Sequence, residues 1–168
     1  GLFLTGGPEP ILTTVSTEGG SFTFADIPYG EYVVREIAAP EGYVMDDTPY
    51  TVKVDQNGAV VEIEITNKLI RGSVQLTKVD KSYPDHHLSG AVFEVYRDGK
   101  LVGQMEELSD GVYKLDDLPY GDYTLKEIEA PKGFFLDEKT YSFSVKENGK
   151  TVIVETEAGK GFVNAAQT

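Results

Sequence analysis

Apolar and polar residues alternate along much of this chain, and the three-to-four spacing of an amphipathic helix is scarce. Thr, Val, Tyr and Phe occur at the density expected of half-buried strands. In the C-terminal part the alternation predicts strands near 72–79, 91–97, 100–105, 111–116, 121–129, 140–147, 150–156 and 161–165. Turn signals separate them: Asp98-Gly99, Asp110-Gly111, Pro119-Tyr120-Gly121 and Asn148-Gly149. Asn148-Gly149 and its counterpart Asn57-Gly58 are expected to close hairpins. Many short strands with regular turns predict an all-β sandwich or barrel in which most pairings are antiparallel.

The pattern occurs twice. Phe22–Tyr43 reads FTFADIPYGEYVVREIAAPEGY, and Tyr113–Phe134 reads YKLDDLPYGDYTLKEIEAPKGF. The offset is 91 residues and holds without a gap from Phe22 to Gly58, with Asp46, Tyr50, Asn57 and Gly58 among the identities. A repeat of about 90 residues is too long for a solenoid unit and suits a small β-sandwich. The boundary is placed near Ile70-Arg71-Gly72, giving domains 1–70 and 71–168. The second copy is longer at its front. Ala91-Val92-Phe93 is taken to match Gly1-Leu2-Phe3, so the first copy has no equivalent of Gly72–Asp80.

Strand phase singles out three polar residues. Positions i, i+2 and i+4 share a face. Val74, Leu76 and Lys78 therefore form one row, Tyr123, Leu125 and Glu127 a second, Phe162 and Asn164 a third. In each the polar residue continues an apolar row and should point inward. Tyr32, Val34 and Glu36, then Ile63, Ile65 and Asn67, repeat two of the rows in the first copy. Buried charges are costly unless paired, so an inward Lys, Glu and Asn call for a joint explanation.

Composition narrows the function. The 168 residues include no Cys, which excludes disulfides, thiolate metal sites and a Cys nucleophile. The net charge is −13, with three basic against eleven acidic residues through position 70 and twelve against seventeen afterwards. Such a chain does not wrap nucleic acid unaided. No apolar run approaches the roughly 20 residues of a membrane span, and no signal peptide is read at its start. His86-His87 and the acidic pairs Asp46-Asp47 and Asp116-Asp117 lack metal-site spacing, so neither a metal nor a cofactor is expected.

Leu76–Asp80 (LTKVD), Tyr123–Phe134 (YTLKEIEAPKGF) and Phe162–Asn164 (FVN) together resemble the Cna protein B-type, or SpaA-like pilin, domain of Gram-positive surface proteins. The resemblance covers essentially the whole chain as two tandem copies. It implies transthyretin-like or inverse immunoglobulin-like sandwiches, and a spontaneous Lys–Asn isopeptide bond with Lys78 as nucleophile, Asn164 as electrophile and Glu127 as catalyst. Glu36 and Asn67 match the family pattern in the first copy, where no Lys lies on an upstream strand. Asn67 is expected to keep its amide unless a lysine-bearing strand arrives from elsewhere. The resemblance further implies a structural stalk module of an extracellular, cell-wall-anchored adhesin or pilin, rather than an enzyme. Its partners would be other domains of the same surface protein, neighbouring pilin subunits or host extracellular matrix. The alternative is an adhesin domain that binds host matrix protein or glycan directly.

The chemistry stands beside the name. Removal from water favours the neutral amine, the form that can attack. A neutral Glu127 carboxyl would hydrogen-bond the Asn164 carboxamide and carry a proton from the amine to the departing ammonia. Folding supplies the effective molarity.

Overall fold

The computed structural model describes residues 1–157 and 159–167 and is all-β. It divides into two compact units, Gly1–Lys68 and Leu69–Thr168.

The second unit stacks two sheets. One holds β7 (Arg71–Asp80), β10 (Glu106–Ser109), β11 (Val112–Pro119) and β14 (Thr151–Ile153) in the order β10-β11-β7-β14, and β15 (Phe162–Asn164) also pairs with β7. The other runs β13-β12-β8-β9 from β8 (Val92–Arg97), β9 (Lys100–Gln104), β12 (Gly121–Glu129) and β13 (Thr140–Val145). Val74, Leu76, Tyr113, Leu118 and Phe162 from the first sheet meet Phe93, Val95, Tyr123, Leu125, Phe143 and Val145 from the second in one buried core. Alternate residues of β7, β8, β12 and β13 face inward, as period two requires, while β11 changes phase at a bulge between Leu115 and Leu118 that brings both Tyr113 and Leu118 to the core.

Most pairings are antiparallel, as expected, with two parallel exceptions, and two features depart from the expectations above. Glu106–Ser109 forms a strand of its own, paired with β11 across Asp110-Gly111. Both β14 and β15 run parallel to β7. Asn148-Gly149 does not close a hairpin, because β13 and β14 lie in different sheets. The turn is instead pinned to the start of β7: the Arg71 amide donates to Asn148 Oδ1 at 3.1 Å, and the Gly149 amide donates to the Arg71 carbonyl at 2.7 Å. Strand alternation says which face a residue takes but not which sheet its strand joins, so a tight turn serves equally well for a crossing.

The first unit has one antiparallel sheet, β2-β1-β3-β5, from β1 (Leu2–Leu4), β2 (Pro10–Leu12), β3 (Gly30–Val34) and β5 (Tyr50–Val54). β4 (Tyr43–Val44) pairs with β6 (Lys68–Leu69) at the end of the repeat. Asn57-Gly58 closes no hairpin here either, since residues 55–67 carry no strand. Leu2, Tyr32 and Val34 are buried, with Phe22, Phe24, Ile27, Ile63 and Ile65 half-buried against them. Leu2 pairs with Val34 as Val95 pairs with Leu125. Leu2 therefore stands at the position of Val95, and the expected match of Gly1-Leu2-Phe3 to Ala91-Val92-Phe93 is corrected by three residues. Both short stretches are apolar enough to slide against each other in a sequence comparison; only the ladder sets the register.

Candidate functional site

Lys78, Glu127 and Asn164 reach one point of the second core from three strands. β7 carries Lys78 in line with Val74 and Leu76, and all three are fully buried. β12 carries Glu127 beyond Tyr123 and Leu125, and β15 carries Asn164 beyond Phe162. Their exposures are 0% for Lys78, 3% for Glu127 and 2% for Asn164.

Local sequence holds β15 in place. Gly161 sits at φ +82°, and a Cβ there would lie 2.6 Å from the Thr77 carbonyl oxygen, so only glycine lets the chain come this close to β7. Phe162 then pairs with Lys78 and Asn164 with Asp80. The Ala-Pro-x-Gly segment after Glu127 makes a tight turn: the Phe134 amide donates to the Pro131 carbonyl at 3.0 Å with Gly133 at φ +86°. From that turn the Phe135 amide donates to the Ala165 carbonyl and the Gln167 amide to the Gly133 carbonyl, fastening the strand beyond Asn164.

Lys78 Nζ lies 3.0 Å from Glu127 Oε1 but is not aligned for a hydrogen bond to it. It is also 4.6 Å from the Phe162 ring centre and 5.8 Å from that of Phe93. Desolvation lowers the Lys78 pKa, and the facing Glu127 opposes the shift. Asn164 Nδ2 donates to Glu127 Oε1 at 3.0 Å and Oε2 at 2.9 Å. The carboxamide thus turns its nitrogen to Glu127. The hydrogen bond expected between Glu127 and the carboxamide is present through that nitrogen, and Oδ1 is buried without a hydrogen-bond partner among the described residues.

Two further groups complete the site. Glu127 Oε2 accepts from the Asp137 amide at 2.8 Å, and Asp137 Oδ2 accepts from the Tyr141 hydroxyl at 2.6 Å. Burial raises the Tyr141 pKa, and the Asp137 carboxylate raises it further. The Tyr141 ring packs edge-on against Phe162 at 5.0 Å. Sequence reasoning assigned neither residue a role, although the 91-residue repeat carries the signal. Asp46 and Tyr50 form the same pair in the first unit, at 2.9 Å, and the Asp46 amide donates to Glu36 Oε2 at 2.7 Å.

The first unit also brings Glu36 and Asn67 together. Asn67 Nδ2 donates to Glu36 Oε2 at 2.7 Å and to the Val44 carbonyl at 3.0 Å, and both side chains are half-buried. Lys68 points to solvent, and Lys53 pairs with Asp55 at 3.3 Å on the surface. His87 is exposed and forms a β-bridge with Val79, with Nδ1 3.1 Å from the Asp110 carbonyl oxygen.

The model of the SpaA prealbumin-like fold domain matches residues 7–69 and 72–160. The chain belongs to this family. Its SpaA domains are two tandem transthyretin-like sandwiches. The Bacillus anthracis TIE protein superposes with a TM-score of 0.78 at 32% identity, covering 90% of this chain and 28% of that protein. The trypsin-resistant surface T6 protein of Streptococcus pyogenes serotype M6 is 30% identical over 107 residues, which is 63% of this chain and 19% of that protein. The major pilin subunit of Bacillus cereus is 30% identical over 58% of this chain and 28% of its own, with a TM-score of 0.43. The SpaA chain thus spans less than a third of each of these relatives.

Proposed function

We propose that these domains, 1–70 and 71–168, form part of the shaft of an extracellular, wall-anchored surface protein or pilus, and that the second welds itself shut with a Lys78–Asn164 amide. The observation that carries this reading is the meeting of Lys78, Glu127 and Asn164 in a fully buried cluster. A separated ammonium and carboxylate are poorly suited to such a place. Proton transfer from Lys78 Nζ to the adjacent Glu127 Oε1 gives a neutral amine and a neutral acid. The amine attacks the Asn164 carboxamide carbon, the bond from that carbon to Nδ2 breaks, and ammonia leaves. Glu127 touches both nitrogens, so it takes the proton from one and returns it to the other. The event occurs once and turns over no substrate.

The relatives support the setting. The T6 protein is a surface protein and the Bacillus cereus relative is a pilin subunit. The bond suits a shaft. It closes a loop of 87 residues, for which the chain-entropy relation for crosslinks gives about 4–5 kcal/mol, and reductants do not cleave an amide.

Intact mass spectrometry with tryptic mapping tests the proposal. The expected chain is lighter than its sequence by one ammonia, with a branched peptide joining Lys78 to Asn164. Glu127→Ala should restore the full mass. A wild-type chain of full mass, or a Glu127→Ala chain still fully crosslinked, refutes the bond or its catalyst respectively.

A further inference from the structure

Asn148 and Gly149 form the tip of the turn between β13 and β14, which the Lys150 amide closes by donating to the Glu147 carbonyl at 3.3 Å. Gly149 holds φ +74°, and both residues are exposed. In such a pair the glycine nitrogen can attack the preceding carboxamide, because no side chain shields it. Two hydrogen bonds to the first residue of β7 oppose that attack. The Arg71 amide donates to Asn148 Oδ1 at 3.1 Å, which holds the carboxamide against β7. The Gly149 amide donates to the Arg71 carbonyl at 2.7 Å, which keeps the proton on the nitrogen that would have to lose it. Arg71 is clamped on its other side. Its Nη1 donates to the Asp117 carbonyl at 3.0 Å and pairs with Asp117 Oδ1 at 3.0 Å. The Ser73 amide donates to the Lys150 carbonyl at 3.0 Å, so the start of β7 is bonded to the turn twice over. The bonds at Arg71 are solvent-exposed, and exposed bonds at the end of a strand open far more often than those of a core.

We propose that Asn148-Gly149 is a latent self-modification site, silent while Arg71 is docked and converted to aspartate and isoaspartate when the first residues of β7 fray. The Gly149 nitrogen gives up its proton and attacks the Asn148 carboxamide carbon. The bond from that carbon to Nδ2 breaks, and Nδ2 leaves with the proton as ammonia. Water then opens the resulting five-membered imide at one carbonyl or the other. Isoaspartate places an extra carbon in the backbone before Gly149, so the Gly149 amide no longer meets the Arg71 carbonyl and the opening becomes permanent. The site thus guards the point where the chain enters the second unit. It is independent of the amide proposed for the core, which involves Lys78 near the other end of β7.

The test is incubation of the whole chain in warm, mildly alkaline buffer. Tryptic mapping follows Asn148, whose product is heavier by the exchange of NH for O, and enzymatic methyl labelling detects isoaspartate. A synthetic peptide of residues 144–153 gives the unguarded rate. The folded chain should convert at least about fivefold more slowly than the peptide, the population factor for one ordinary hydrogen bond. Arg71→Pro lacks the amide that holds Oδ1, and Arg71→Ala lacks the clamp to Asp117; each should narrow that gap. In converted chains, hydrogen exchange of the Arg71 and Ser73 amides should rise while that of residues 123–127 stays slow. Equal rates in the chain and the peptide overturn the proposal. If neither substitution raises the rate, Arg71 is not the guard, and conversion that leaves exchange at Arg71 and Ser73 unchanged refutes the permanent opening.

Discussion

Lys78 is held where an ammonium is poorly tolerated, and its neighbours decide what that burial achieves. Aromatic faces and one carboxylate surround it, with no water-exposed atom. Glu127 is oriented by the Asp137 amide and, through Asp137, by Tyr141. Tyr141→Phe keeps the ring against Phe162 but removes one hydrogen bond, which should cost about 1 kcal/mol and slow amide formation. Denaturant titration reads the first effect, and the crosslinked fraction after timed refolding reads the second. Burial also lifts the Tyr113 hydroxyl to about 12, and Tyr141 is raised as well. Both should remain protonated while surface tyrosines ionise in an alkaline titration followed by phenolate absorbance. The folded state then holds these protons more tightly than the unfolded chain. The Tyr113 contribution is fully present below pH 10 and is lost as pH rises from there through about 12, and that of Tyr141 is lost at still higher pH. Lys78 has the opposite sign while it is an amine, since its lowered pKa disfavours the fold below that value. As an amide it no longer titrates.

Among the elements, β15 decides whether the site assembles. It has three residues and lies parallel to β7, a geometry that no hairpin turn provides. Gly161 permits the approach and the Pro131–Phe134 turn fastens the far end. Gly161→Ala meets both a left-handed φ and the Thr77 carbonyl. Gly149→Ala meets a φ of +74° with nothing within 4 Å of the new carbon. The second change should cost about 1–2 kcal/mol from backbone strain alone. The first should cost more, and it should lower the yield of crosslinked chain while the second leaves that yield intact; intact mass and unfolding midpoints separate the two. The inward rows of β7, β12 and β15 were legible in the sequence because alternation along a strand is a local property. The sheet that β14 joins and the true register of β1 were not, because both depend on ladders between distant residues.

For the molecule as a whole, the proposed amide gives the two units different mechanics. In the second, force entering at Arg71 passes along β7 to Lys78, across to Asn164 and out through Ala165. Residues 79–163 bear no load. Pulling single molecules by their termini should therefore release the contour length of the first unit but not of residues 79–163, and Glu127→Ala should restore the missing extension. In bulk unfolding the same substitution should lower the stability of the second unit by about 4–5 kcal/mol and leave the first unit unchanged, which hydrogen exchange resolves unit by unit.

The amino-acid sequence by itself determined that there are two copies of one β pattern, that Lys78, Glu127 and Asn164 each continue an apolar row, and that the first copy offers only Glu36 and Asn67. Those properties follow from composition and from a period of two residues. Tertiary structure decided the rest. It made the terminal strands parallel, turned the Asn164 amide nitrogen toward Glu127, placed Asp137 and Tyr141 behind it and set β1 three residues from its apparent match. Each is a contact between residues far apart in the chain, chosen by packing and hydrogen-bond geometry that no local pattern encodes.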